Sequence, residues 1–458
     1  MTSSSTPVGD TASPLIPRPD QLRKAVIGAA IGSVVEWYDV AVYGYLAVVI
    51  GKVFFAATDS TTALLSSFAV FGSAFLVRPL GGTFFGTLGD RIGRKHTLAW
   101  VILMVSISTV AIGLLPGYAS IGVAAPVLLV VLRLLQGFSA GGELSGAAVF
   151  VAEYAPARRR GYYVSWVEVG AILGFLIGSV AVLVLNVSIS DAQLLDWGWR
   201  IPFLLAAPLG VVGLYIRTRL EETPEFEAMR QRRQVAKNPL RETLVNHWPS
   251  ILRAAGFSLY HNAALYVILT FIPTYLSKTL GYSSTLASLS SVVCISAICI
   301  VIPVMGAASD RLGRRPLLAA SCVLSLLMSY PLFILMGQHA PALAVVAQLG
   351  LGVILAIFLG TTMAASSEQF STQVRYSGFS IGYNLSVSAF GGTAPFLVTL
   401  LVTGTGLIAA PAFYIMAAAL VTLAVVAKTK ETAPLKTNPI SARPGHHAVT
   451  VTPSRDAQ

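Results

Sequence analysis

Glu36 and Asp39 stand about one helical turn apart in an otherwise apolar stretch, with Tyr43 one turn further on the same face. Such a pair can take up a proton on one side of a barrier and release it on the other. It can equally be a structural hydrogen-bond node to another helix. Arg133 lies in a second apolar stretch, followed by Glu143. An Arg133 paired with an acid on another helix neutralises two costly charges at once; for Glu143, structural pairing and proton coupling stay equally open. Glu168 precedes Gly170-x-x-x-Gly174-x-x-x-Gly178, a stripe suited to close helix packing. Lying two positions off that stripe, Glu168 is either a site acid or a structural group facing the bundle. Glu36, Asp39, Arg133, Glu143 and Glu168 are therefore the candidate proton-coupling set.

Aromatic faces beside a buried carboxylate suit a cationic ligand group. Trp37, Tyr38, Tyr43, Trp166, Tyr260, Tyr266 and Tyr383 are candidate faces, although interfacial belts and helix packing compete for aromatics. Asn262 and Asn384 supply polar edges beside Tyr266 and Tyr383, suited to a substrate carboxylate. His261 reads as a packed histidine. Arg78 reads as a snorkelling side chain near the inner end of its helix.

The elements that position these residues must be membrane helices. Apolar side chains make up 55% of the 458 residues and charged ones only 11%, too little polarity to solvate a soluble fold of this size. Each crossing needs roughly 20 apolar residues. Twelve stretches qualify: about 23–49, 63–86, 97–116, 124–152, 162–187, 199–218, 250–275, 285–307, 315–337, 341–366, 377–404 and 409–427. The alternating strands of a membrane barrel are absent from the pattern. The expected fold is an all-α membrane protein of two pseudo-symmetric six-helix bundles, 23–219 and 250–428. A cytoplasmic linker, 220–249, has room for short amphipathic helices on the membrane. Disorder is expected over 1–22 and 429–458.

The net charge of +11 follows topology. Only Lys52, Arg200 and Lys278 fall on the side assigned as outer; the other basic residues outside the bilayer core gather on the opposite side, which places both termini in the cytoplasm. No nucleic-acid partner is implied. Cys294, Cys299 and Cys322 lie in apolar segments without metal spacing and read as small packing residues.

One loop occurs twice. Gly86-Thr-Leu-Gly-Asp90-Arg91-Ile-Gly93-Arg94-Lys95 is matched by Gly306-Ala-Ala-Ser-Asp310-Arg311-Leu-Gly313-Arg314-Arg315, each between long apolar stretches. A second correspondence has the same order: Glu153 precedes Arg160 by seven residues, and Glu368 precedes Arg375 by seven. A duplicated half built to rock against its copy follows. The glycines suit tight turns, and Asp90 suits a helix cap. The bland alternative is a basic topogenic loop. The sharper expectation is a latch in which Asp90 and Arg94 engage partners near Glu153, and Asp310 and Arg314 engage partners near Glu368.

The repeated Gly-x-x-x-Asp-Arg-x-Gly-Arg-Lys/Arg loop resembles the signature of the major facilitator superfamily. Arg133-Leu-Leu-Gln136-Gly137 is similar to that superfamily's fourth-helix motif, associated with proton-coupled carriers. Glu36-Trp-Tyr-Asp39, Gly141-Gly-Glu143, Val151-Ala-Glu153-Tyr-x-Pro156, Trp197-Gly-Trp-Arg200-Ile-Pro202, Leu220-Glu-Glu-Thr-Pro224 and Gly391-Gly-Thr-Ala-Pro395 resemble its metabolite:proton symporter family. Gly51-Lys-Val-Phe-Phe55, Gly117-Tyr-Ala-Ser-Ile-Gly122 and Leu194-Leu-Asp-Trp-Gly-Trp199 look like that family's osmoprotectant members. The resemblance implies uptake of a zwitterionic osmolyte such as proline or glycine betaine with protons, and a site acid at Glu168. The family also carries organic acids such as 2-oxoglutarate, citrate and shikimate, the alternative substrate class. An anion would need cationic partners, and Arg133 is the only obvious mid-membrane cation, which favours a zwitterion. The osmosensing members end in a coiled coil, whereas this tail has no heptads, so osmotic regulation by that route is not implied.

No phosphate-binding loop with Gly-Lys-Ser/Thr, no His-Glu-x-x-His and no nucleophile elbow occurs, which argues against an ATP-driven pump and a membrane enzyme. No cofactor is expected, the energy source being a proton gradient. The expected partners are a small-molecule substrate, protons and membrane lipid, for a monomer in a bacterial inner membrane. A receptor or channel that never cycles is the competing class.

Overall fold

The structure, a computed structural model, describes residues 19–55, 60–92, 94–219, 239–371 and 374–434, excepting the side chains of 89–92, 94, 217, 219 and 239. Among the described residues, twelve helical spans are long and apolar enough to cross a membrane. They are α1 (Pro19–Tyr45), α2 (Ser60–Leu88), α3 (Lys95–Leu114), α4 (Ala124–Tyr154), α5 (Ala157–Ser188), α6 (Asp191–Ile216), α7 (Trp248–Thr279), α8 (Ser284–Leu312), α9 (Arg314–Met336), α10 (Pro341–Ser367), α11 (Arg375–Thr405) and α12 (Ala410–Lys428). No strand occurs among the described residues. Backbone groups in lipid must be satisfied within their own segment, so apolar runs of this length become helices.

Most boundaries fall within a few residues of the sequence expectation. The span expected at 199 starts instead at Asp191. Ser190 accepts from the Gln193 amide, and the Gln193 side chain accepts from the Ser190 amide, a reciprocal cap that starts the helix early. The turn between α8 and α9 is Gly313 alone, at φ 106°, a conformation that the duplicated glycine anticipates.

Small residues set the packing distances. A Cβ on Gly170 would lie 2.2 Å from the Ala30 carbonyl oxygen, so α5 lies backbone to backbone on α1 along the glycine stripe. A Cβ on Gly137 would lie 1.7 Å from the Ala74 carbonyl, which fixes α4 equally close to α2. Between the halves, α5 packs on α8 and α10, and α2 packs on α11. An even number of spans puts both ends of the bundle on the face that carries residues 306–315, called here the basic face; the opposite face is the far face.

The linker and tail are described in part. Residues 220–238 lie outside the described residues. The helix Pro239–Asn246 packs against α2 and α11, one from each half. Of the tail, residues 429–434 are described, with Ala433 fully buried, and 435–458 lie outside the described residues. The Glu431 carboxylate accepts from the amides of Arg314 and Arg315 at 2.8 and 3.0 Å. It also accepts from those of Thr432 and Ala433 at 3.0 and 2.9 Å. The start of a helix leaves amides without intrahelical partners, and a carboxylate satisfies them with favourable charge. Partial burial pushes the Glu431 carboxyl up, yet these amides outweigh it and hold the group below the usual carboxylate range.

Candidate functional site

The two acids of α1 are not a pair. Glu36 points toward α2 and meets Arg78 at 3.1 Å, with both side chains almost fully buried. The Arg78 guanidinium also covers the Phe75 ring at 4.6 Å and lies 5.9 Å from the Trp37 ring. Arg78 does not snorkel. It lies ten residues before the end of α2 (Ser60–Leu88), too deep for its stem to reach water. That depth in the sequence was the signal for a second mid-membrane cation, so Arg133 is not alone.

Asp39 belongs to a separate node between α1, α3 and α4. Arg133 meets it at 3.2 Å, Thr109 donates to it at 2.9 Å, and Gln136 Nε2 donates to its Oδ1. Gln136 also bonds Thr109 at 2.8 Å and accepts from Arg133 at 2.9 Å. The Tyr43 ring stacks under the Arg133 guanidinium at 4.4 Å, while its hydroxyl donates to the Ser67 carbonyl. Tyr43 therefore serves this node. Sequence reasoning passes over Thr109 and names Gln136 only within the Arg133-Leu-Leu-Gln136-Gly137 motif, although both stand inside apolar stretches and Gln136 is three residues from Arg133 on one helix face.

At the seam between the halves a second group gathers. Glu168 of α5 faces His261 of α7 at 3.8 Å, both fully buried. Among the described residues, neither carboxylate oxygen of Glu168 and neither nitrogen of His261 has a hydrogen-bond partner. Around them, Tyr383 of α11 meets the His261 ring edge-on at 5.8 Å, and Tyr266 of α7 meets Trp37 at 6.1 Å. Phe75 packs edge-on against Tyr266 at 5.2 Å. Tyr383 is within electrostatic range of Tyr266, Glu168, Arg78 and Glu36. The Tyr266 and Tyr383 hydroxyls and the Trp37 indole nitrogen are buried without partners as well. Buried polar atoms normally find partners, so a concentration of unpartnered ones at one place points to a ligand site. Both halves contribute to it. His261, expected as a packing residue, is one of its members.

Other candidates go elsewhere. The Tyr38 hydroxyl donates to the Pro202 carbonyl at 2.6 Å and ties α1 to α6. Tyr260 bonds Ser325 and meets Phe358 edge-on inside the second half. Trp166 lines an outer groove with Pro303 and Ala307 of α8. These three do not reach the seam site because their helix faces turn away from it. Asn262 donates to the Ser258 carbonyl one turn back, leaving its buried Oδ1 unpartnered. Asn384 crosses the seam and donates to the Gly141 carbonyl, so it closes the halves together. Glu143 is fully buried just after the Gly141-Gly142 break in α4, within range of Glu36.

Toward the basic face the halves are closed. Asp310 accepts from the amides of Gly161 and Tyr162 at 2.8 and 2.9 Å, so an acid of the second half caps a helix of the first. Arg314 meets Asp310 at 2.9 Å and Glu368 at 3.2 Å. The glutamates and arginines of the repeat pair across the halves: Glu368 meets Arg160 at 3.8 Å, and Glu153 meets Arg375 at 3.9 Å. Tyr376 adds a 2.8 Å bond to the Gly142 carbonyl. The side chains of Asp90 and Arg94 lie outside the described residues.

Two six-helix halves that meet around a buried, charged seam, with ion pairs closing one face, are the build of a secondary membrane transporter. Residues 25–253 match the family described as Sugar (and other) transporter, and residues 264–454 match the Major Facilitator Superfamily. The Proline/betaine transporter of Escherichia coli K12 is 41% identical over 427 residues, covering 91% of this chain and 85% of that protein. A Glycine betaine/proline/ectoine/pipecolic acid transporter of Dickeya dadantii is 41% identical with the same coverage. The Ectoine/proline transporter of Corynebacterium glutamicum is 36% identical, covering 87% of this chain and 82% of that one. Among solved structures, a proton:xylose symporter bound to 6-bromo-6-deoxy-D-glucose superposes with a TM-score of 0.75 at 18% identity, over 90% of this chain and 97% of that one. The chain belongs to the major facilitator superfamily and, within it, to the same family as these osmolyte transporters. It is a multi-pass membrane transporter and not an enzyme.

Proposed function

We propose that this chain is a proton symporter that imports a zwitterionic osmolyte such as proline or a betaine, with both termini and the basic face in the cytoplasm of a bacterial inner membrane. The observation that carries the reading is the Glu168–His261 contact across the seam, without hydrogen-bond partners among the described residues, with Tyr383 on the His261 ring and Tyr266 and Trp37 next to it. A carboxylate beside aromatic faces suits a substituted ammonium group. The tyrosine hydroxyls and the indole N–H are donors for the carboxylate at the other end. The named substrates of the relatives carry both groups on one small frame.

Asp39 is the proton carrier in this reading. Its proton would replace the ionic bond to Arg133, freeing that guanidinium and loosening α1 from α4. Glu36 and Arg78 neutralise one another and hold the aromatic wall. Arg78 also gives the second reading, an organic acid as substrate, a specific foothold, because its Nε is buried without a partner beside the same wall.

Uptake into proteoliposomes with an acid exterior separates these. Labelled proline or glycine betaine should accumulate, 2-oxoglutarate should not, and a proton ionophore should abolish accumulation. Glu168→Gln should lose binding by on the order of tenfold or more, since the charge attraction between carboxylate and substituted ammonium in a dry site is removed. Accumulation of the dicarboxylate, or unchanged affinity in the variant, would overturn the assignment.

A further inference from the structure

Basic residues avoid the far face of this protein, with three exceptions among the described residues: Lys52, Arg200 and Lys278. Arg200 is consumed locally, donating to the carbonyls of Gly113 and Leu115 at 3.0 and 2.6 Å at the end of α3. The other two line one cavity of about 150 Å³ between the halves. Lys52 comes from the helix that continues α1 on that side, Ala47–Phe54, and Lys278 from the last turn of α7. Among the described residues Asp191 is the single acid lining the cavity, against two lysines, which leaves that lining net positive. Neither ammonium has an ion-pair partner among the described residues.

The cavity stands over the route to the seam. Tyr45 in its wall is six residues from Asp39, and Thr274 is eight from Tyr266, about 9 and 12 Å of helix rise. Asn186 of α5 donates to Ser288 of α8 at 3.1 Å and joins the halves at its edge. A positive pocket walled by low-dielectric protein focuses its field outward and concentrates anions at its mouth.

We propose that this cavity is an outer carboxylate-binding vestibule, in which Lys52 and Lys278 hold the anionic end of an incoming substrate before it reaches Glu168. The substrate class rests on the function proposed above. The positive cavity itself does not.

Two measurements test it. In oriented proteoliposomes, the Lys52→Gln/Lys278→Gln variant should raise KM for uptake from the far face on the order of tenfold, with the maximal rate and the KM for efflux from the basic face unchanged. Wild-type KM should climb with ionic strength and the variant's should not, and a Lys52→Arg/Lys278→Arg variant should keep wild-type behaviour. An unchanged uptake KM, or an equal rise from both faces, overturns the proposal. Independently of what is carried, Ser277→Cys in a Cys299→Ser background should react faster with an anionic than with a cationic thiol reagent. Replacing both lysines by glutamine should lower that ratio on the order of tenfold. An unaltered ratio sinks the vestibule whatever the substrate proves to be, whereas an altered ratio without zwitterion uptake sinks only the substrate class.

Discussion

A guanidinium held away from water is tolerable only with its carboxylate in place. Glu36 with Arg78 and Asp39 with Arg133 are two such couples, on neighbouring turns of α1 but aimed at different helices. Breaking one couple strands a charge at a cost of about 3–5 kcal/mol, whereas removing both members together restores neutrality. Glu36→Gln should therefore lower thermal stability in detergent strongly, and Glu36→Gln/Arg78→Gln should recover much of the loss. A double variant no more stable than the single one would show that Arg78 is held by the Trp37 and Phe75 rings rather than by the acid. At this scale Glu36, Asp39, Arg133 and Glu168 were legible as misplaced charges. The partner of each was not, because partners lie far away in sequence and a helix face points in only one direction.

An element's ends were readable where the chain itself supplied the cap. Ser190 and Gln193 begin α6, and Gly313 ends α8. The start of α9 is different, since its amides are satisfied by Glu431 from beyond α12. Removing the charge with Glu431→Gln should cost about 1 kcal/mol, the usual worth of a helix cap. The group's folded-state value is depressed, so its contribution is present above the ordinary carboxylate range and is lost as pH falls through the folded value. The stability difference between wild type and variant should hold at neutral pH and close only in acid, below about pH 4. Closure of the gap near pH 7 would assign the effect to something other than this carboxylate.

Across the whole molecule, closure of the basic face depends on bonds between the copies. Asp310 caps a helix of the opposite half, and each repeat's glutamate takes the other repeat's arginine. An open basic face must break these together, so they act as one latch. Asp310→Asn combined with Arg375→Gln should shift the population toward the open form by roughly tenfold or more, the equivalent of about 1.4 kcal/mol. A cysteine at Ser165, beneath the cap and against Gly306, would report this by faster labelling from the basic side. Unchanged labelling would place the closing force elsewhere, in the Tyr376 and Asn384 contacts to α4.

Sequence by itself determined the twelve crossings, the duplication, the sidedness of charge and the glycine stripe that seats α5 on α1. Each follows from local rules: an apolar run in lipid has to be a helix, and basic loops stay on one side. Tertiary structure alone decided that the acids of α1 part company, that His261 faces Glu168, and that each repeat's glutamate meets the other repeat's arginine. Those outcomes depend on the rotation of each helix about its axis and on which neighbour it meets. Rotation is fixed by packing against many residues at once, so no short stretch of the chain encodes it.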